Sequence, residues 1–137
     1  MRLAALGVVL SVAMLASAKT ADAGSRHLSL GEIAVLPSGA AELAPELKAD
    51  LDAEMRALDL RAARRDAILS VSLVRMDAAR DHAECVVSAT LRSRDGGVLF
   101  AMLEGHARAQ GGSGHVPESA LRGAVHGALS RIPEALR

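Results

Sequence analysis

Three segments of alternating character, and the turn between the last two, constrain this chain more than anything else in it. Ile68 to Val74, Cys85 to Leu91 and Val98 to Leu103 each alternate with a period near two, the repeat of a strand whose side chains point to opposite faces. The last two are joined by Arg94-Asp95-Gly96-Gly97, and Asp-Gly or Gly-Gly supplies the positive φ that a tight hairpin turn demands. The pattern predicts a three-strand meander. It defines a scaffold and does not by itself name a chemistry.

Ahead of the meander, Glu32 to Leu36 is short, mostly apolar and bounded by Gly31 and Pro37-Ser38-Gly39, which predicts a buried strand ending in a turn. Leu43, Leu47, Leu51, Met55 and Leu58 then recur every three or four residues, the stripe of a helix over 40–60 that covers a sheet. Pro45 suits a first turn, so the regular helix is expected from Ala44. Arg61, Arg64 and Arg65 crowd the link to the next strand; a solvated connection is the expectation, with an anion contact as the alternative. After the meander, Pro117 and Glu118 open a helix that buries Leu121, Ala124, Val125, Ala128, Leu129 and Ile132, with Pro133 expected to end or kink it. The order β-α-β-β-β-α predicts an α+β two-layer sandwich: a mostly antiparallel sheet of about four strands with two helices on one face.

The two sheet faces differ. Leu69, Val71, Leu73, Cys85, Val87, Ala89, Leu91, Leu99, Ala101, Leu103 and Ala107 form one apolar face for the helices to cover. The other carries Ser70, Ser72, Ser88 and Thr90 together with Val74, Met76, Val86, Val98, Phe100 and Met102. An apolar patch around Phe100 on an otherwise polar face is a candidate contact surface, and Phe100, Met102, Val86, Val74 and Met76 are its candidate residues.

Composition narrows the function classes. Equal numbers of acidic and basic residues, for a formal net charge of zero, give no basic excess for nucleic acid or an anionic membrane surface. Phe100 is the single aromatic residue, so platforms that stack bases or sugar rings cannot be built. Arg2, the apolar run Leu3 to Ala16 and the small residues at Ala16-Ser17-Ala18 and Ala21-Asp22-Ala23 together read as a secretory signal peptide over residues 1–23. Cleavage is expected after residue 18 or 23, leaving a single domain at 24–137. The apolar run is shorter than the ~20 residues needed to cross a bilayer, so no stable membrane insertion is expected after cleavage, and the location is periplasmic or secreted.

Candidate chemistry is sparse. Cys85 is the one cysteine and shares a face with Val87, Ala89 and Leu91, which predicts a buried thiol behaving as a small hydrophobe; the alternative is a nucleophile activated by His82. Gly111, Gly112 and Gly114 precede a helix, but the Lys and Ser or Thr of a phosphate loop are missing, so a connector is expected. The five histidines show no close pairing of the kind that grips one ion, and neither a metal site nor a cofactor is expected. No G-x-S-x-G elbow and no evident pair of catalytic carboxylates occurs.

Ile33-Ala34-Val35-Leu36-Pro37, Ala67 to Leu73 and Gly96-Gly97-Val98-Leu99-Phe100 resemble the successive strand motifs of periplasmic domains in the curli-secretion lipoprotein and penicillin-binding-protein-activator group. The chain departs from that group in lacking a lipoprotein Cys and in having little room for an extra strand after its first helix. Cys85-Val86-Val87, Leu103 to Gln110 and Leu121 to Ala128 resemble small exported bacterial domains of unknown function. Both likenesses imply a non-catalytic envelope module, whose partner is an envelope protein or a second copy of the chain. The expectation is thus an interaction or assembly module rather than an enzyme. The alternative is a periplasmic small-ligand or metal-binding protein using His106, Glu104, Gly112 and Gly114; a small hydrolase ranks third.

Overall fold

The computed structural model describes residues 27–111 and 114–137. The expected signal segment 1–23, with its two cleavage positions, and Gly112 lie outside the described residues. In order come β1 (Leu28–Val35), a 3₁₀ turn (Ser38–Leu43), α1 (Ala44–Ala57), β2 (Ala67–Ala78), β3 (His82–Ser93), β4 (Leu99–Gln110), α2 (Val116–Leu129) and the short α3 (Ile132–Ala135). The four strands form one sheet in the order β1-β2-β3-β4. The pairings β2–β3 and β3–β4 are antiparallel hairpins, whereas β1 lies parallel to β2. A parallel neighbour needs a crossover, and the 3₁₀ turn, α1 and the link to β2 provide it. The α+β two-layer expectation holds.

Local chemistry explains most boundaries. Pro45 sits in the first turn of α1, where its missing N–H costs nothing and its fixed φ suits a helix. At the β3–β4 turn, Gly97 alone takes positive φ, at 66°, as the Gly-Gly pair implied. Pro133 neither ends nor kinks α2, which stops at Leu129; it opens α3 instead. Gly31 is not the edge of β1. The strand begins at Leu28 and passes Gly31 through a register shift between Leu30 and Ile33. A Cβ at Gly31 would stand 2.8 Å from Ile68 Cγ2, so the irregularity and the glycine belong together.

The core lies between the sheet and the helix layer. Leu69, Val71 and Leu73 of β2, Cys85, Val87, Ala89 and Leu91 of β3, Leu47 and Leu51 of α1, and Leu121, Val125 and Leu129 of α2 are fully buried. Each such Leu or Val contributes roughly 1.5–3 kcal/mol by leaving water. The link between α1 and β2 adds to this: Leu58, Leu60 and Ala63 pack on the core cluster, and the Arg64 and Arg65 N–H groups both donate to the Leu136 carbonyl, at 2.7 and 3.1 Å.

The helix layer is set by one close approach. A Cβ on Gly105 of β4 would overlap the Ala124 carbonyl oxygen and stand 2.6 Å from the Ala128 nitrogen, and one on Gly123 would stand 2.9 Å from Ala107 Cβ. Backbone rests on backbone here, and no side chain can be accommodated between them. Gly105→Ala is therefore expected to destabilise the protein by about 3 kcal/mol, because overpacking against main chain cannot relax by a rotamer change. Gly39→Ala, where an added Cβ meets nothing within 4 Å, should be neutral within about 0.5 kcal/mol. Urea melts of the two variants beside the parent check this; equal midpoints would refute it.

Candidate functional site

Because both long helices lie on one side of the sheet, no layer covers its other face among the described residues. Cross-strand register places the side chains there in rows: Ser72, Ser88 and Glu104; Ser70, Thr90 and Met102; Glu84 and Arg108; Ile68, Arg92 and Leu99. Short hydroxyl side chains make its centre flat. At the end nearer the β2–β3 turn the polar side chains are paired: His106 Nε2 and Glu104 Oε1 at 2.6 Å, Arg75 and Asp77 at 2.7 Å, Arg108 and Glu84 at 3.5 Å. Towards the β3–β4 turn the surface is apolar, with Met102 68% and Leu99 46% exposed, while Val74 of β2 is 42% exposed; Val98, 64% exposed, stands opposite Ser93 at the rim. Such a patch, rimmed by polar residues, has the make-up of a contact surface.

The five contact candidates do not all belong to it. Met102 stands on this face opposite Thr90, and Val74 is exposed as expected. Val86 is only 8% exposed, because Arg75 and His106 are its cross-strand neighbours and their long side chains shield it. Met76 is on the opposite side. A register shift between Leu73 and Arg75 pairs Met76 with the fully buried Cys85, and directly opposed residues share a face. Phe100 is displaced in the same manner. Ala101 pairs with Leu91 and Leu99 with Arg92, so Phe100 is the extra residue of a bulge; it packs against the core cluster, with the Arg65 guanidinium carbon 4.9 Å from its ring centroid. The same bulge turns Leu99 outward, although simple alternation assigned it to the covered face.

The four alternative ligand residues are also separated. His106 and Glu104 bond to each other on the open face, whereas Gly114 borders a cavity of about 690 Å³ under the helix layer, lined also by Leu43, Glu46, Met76, Pro117 and Glu118. They do not form one site. No group of three or more His, Cys, Asp or Glu side chains suited to a metal ion occurs among the described residues. Burial pushes the Cys85 thiol up to about 12, so it is protonated at neutral pH, and exposed His82 bonds to Asp81 at 3.0 Å rather than to sulfur. The buried-thiol reading of Cys85 agrees with this placement.

Sequence reasoning missed the seam between the helices. Asp50 and Glu54 of α1 face Arg122 and His126 of α2, with Asp50 Oδ1 3.8 Å from Arg122 Nε and Glu54 Oε1 3.0 Å from His126 Nδ1. The i, i+4 spacing of both pairs was its only sequence signal. Asp50 is buried, its Oδ2 lacks a hydrogen-bond partner among the described residues, and its carboxyl is raised above the usual 3.8 by burial first and by Glu46 second. A raised carboxyl binds its proton more tightly folded than unfolded, so stability falls as pH climbs from 3.8 through the folded value. Asp50→Asn should therefore melt higher than the parent at pH 7, and the gain should vanish near pH 3. Thermal melts at the two pH values test this; an unchanged or lower melting temperature at pH 7 would show that the Arg122 contact outweighs the burial.

No protein-family model matches the chain, and no curated protein matches it in sequence. Solved structures are similar to it. The PelC dodecamer of Paraburkholderia phytofirmans superposes with a TM-score of 0.51 at 18% identity, over 84% of this chain and 90% of that one. A protein of Caulobacter crescentus assigned as a lipoprotein gives 0.47 at 12% identity, over 86% and 93% of the two chains. A minor lipoprotein of Acinetobacter baumannii gives 0.35 at 12% identity, over 75% and 89%. The likeness to the PelC protein is one of fold.

Proposed function

We propose that the protein is an exported, non-catalytic assembly module of the bacterial envelope, which joins a second copy or another envelope protein through the open face of its sheet. The observation that carries this reading is the face left uncovered among the described residues, with Met102 and Leu99 at one end of a flat, hydroxyl-lined surface. The pattern of residues 1–23 supports export. The fold is shared with a PelC protein that assembles as a dodecamer, which supports self-association as the form the assembly takes. Against Cys85 as a nucleophile stands its burial, which keeps the thiol protonated at neutral pH.

Small-ligand binding is the second reading, and the cavity of about 690 Å³ favours it. It is a different site from the one expected around His106, and Glu42, Glu46 and Glu118 line it, with Glu118 Oε2 lacking a hydrogen-bond partner among the described residues.

A photoreactive group at position 102, with a control at exposed Arg56 on α1, tests the main reading in intact envelopes. A crosslinked product, to self or to an envelope protein, is expected from position 102 and not from position 56. Met102→Asp should reduce that association about tenfold or more while leaving stability within about 0.5 kcal/mol, because the side chain is exposed. Identical crosslinking from both positions, or none from either, would reject the open face as the working surface.

A further inference from the structure

At the rim of the sheet, two separate stretches of chain converge on Phe100. Residues 58–66 bring two consecutive arginines, fixed in place because their N–H groups share the Leu136 carbonyl. The end of β3 brings Ser93, and the turn that follows brings Arg94 and Asp95. With Phe100 as one wall, these residues and Asp66 line an open cavity of about 360 Å³. The ring is the platform under the Arg65 guanidinium, 4.9 Å from its centroid. A guanidinium laid on an aromatic face keeps its N–H groups pointing outward in its own plane, pre-organised for an oxyanion.

The wall sets Arg64, Arg65 and Arg94 against the carboxylates of Asp66 and Asp95. Arg61, Arg75, Arg108 and Arg122 each have a carboxylate within ion-pair distance, but among the described residues no such ion pair involves Arg64 or Arg65. The carboxylate nearest to them in sequence, Asp66, is held by His27 Nδ1 at 2.7 Å. Ser93 Oγ accepts the Val98 N–H at 3.1 Å, which leaves its hydroxyl proton free to donate inward. Arg94 reaches Ser29 Oγ at 3.4 Å and adds positive charge to the wall.

We propose that this pocket binds a phosphate ester, its oxyanion held by the Arg64 and Arg65 guanidinium groups and the Ser93 hydroxyl against Phe100. Donors that arrive from separate chain segments suit a tetrahedral oxyanion better than a planar carboxylate, and arginine is the side chain that grips such oxygens in pairs. Asp66 and Asp95 in the wall disfavour a second negative charge on the ligand, which is therefore a singly charged phosphodiester. That group occurs in soluble glycerophosphodiesters and in phospholipid headgroups. The pocket is distinct from the Met102 surface and does not rest on the assembly reading.

The test titrates the purified protein with glycerophosphoglycerol by calorimetry, and measures co-flotation with vesicles of phosphatidylglycerol or phosphatidylcholine. Binding of the soluble diester or selective binding of phosphatidylglycerol is expected, and Arg64→Gln and Arg65→Gln should each weaken it about tenfold, as loss of a charged hydrogen bond does. Both arginines are exposed, so the variants should keep the parent melting temperature. Binding of the soluble diester assigns a free ester, and binding to phosphatidylglycerol vesicles alone assigns a headgroup; either supports the site. No binding in either arm, equal binding to phosphatidylcholine, or affinity unchanged in both variants overturns it. Met102→Asp should leave the binding intact, which separates this outcome from that of the assembly test.

Discussion

The contact on which the architecture depends is the seating of α2 on β4, main chain against main chain, at Gly105. Helices usually stand about 10 Å from the partner they pack on because side chains fill the space. Here Gly105, Ala107, Gly123, Ala124 and Ala128 remove that filling, and the helix descends onto the last strand. The rest of the helix layer follows from this. With α2 low over β4 and β3, α1 meets α2 along the Asp50 and Glu54 seam, and Leu47, Leu51, Leu121 and Leu129 close the interior. Among the described residues the apolar cover is drawn to one side, and the other side of the sheet is left open.

That asymmetry was readable from the residues, because Leu69, Val71 and Leu73 against Ser70 and Ser72 is an unbroken alternation that survives folding. What could not be read were the two places where the alternation slips. A bulge adds one residue and exchanges the faces of everything beyond it, and nothing in the identity of Val74 or Phe100 announces one. Met102 was assigned correctly because it lies past the bulge in continuous register with Thr90. Met76 and Leu99 were not, because each lies just outside a slip. The lone aromatic residue attracted attention as a surface anchor, yet its role here is to support Arg65.

Proximity along the chain misled in a similar way at the proposed ligand residues. His106 and Gly114 are eight positions apart and lie on opposite sides of the sheet, since a strand end and a connector intervene. Conversely, Arg65 and Phe100 are remote in sequence and stacked in space. The arginine cluster was visible as a run of charge; the wall that makes it concave comes from the β3–β4 turn, and only the sheet order brings the two together. Charge patterning identifies which residues are available to bind, and topology decides what they can bind together.

One consequence of the sheet order concerns how the domain is put together in time. The pairs β2–β3 and β3–β4 close through short turns, and α2 docks on the strands just made, so this half is built from contacts local in sequence. The parallel edge is different: β1 reaches β2 only across the whole crossover, and closing a longer loop costs more chain entropy. The meander and α2 form a self-consistent kernel, and β1 is the strand with the weakest kinetic claim on the native state. Breathing of the structure under native conditions is thus expected first at the β1 edge, where amide hydrogens should exchange faster than in the β3 ladder.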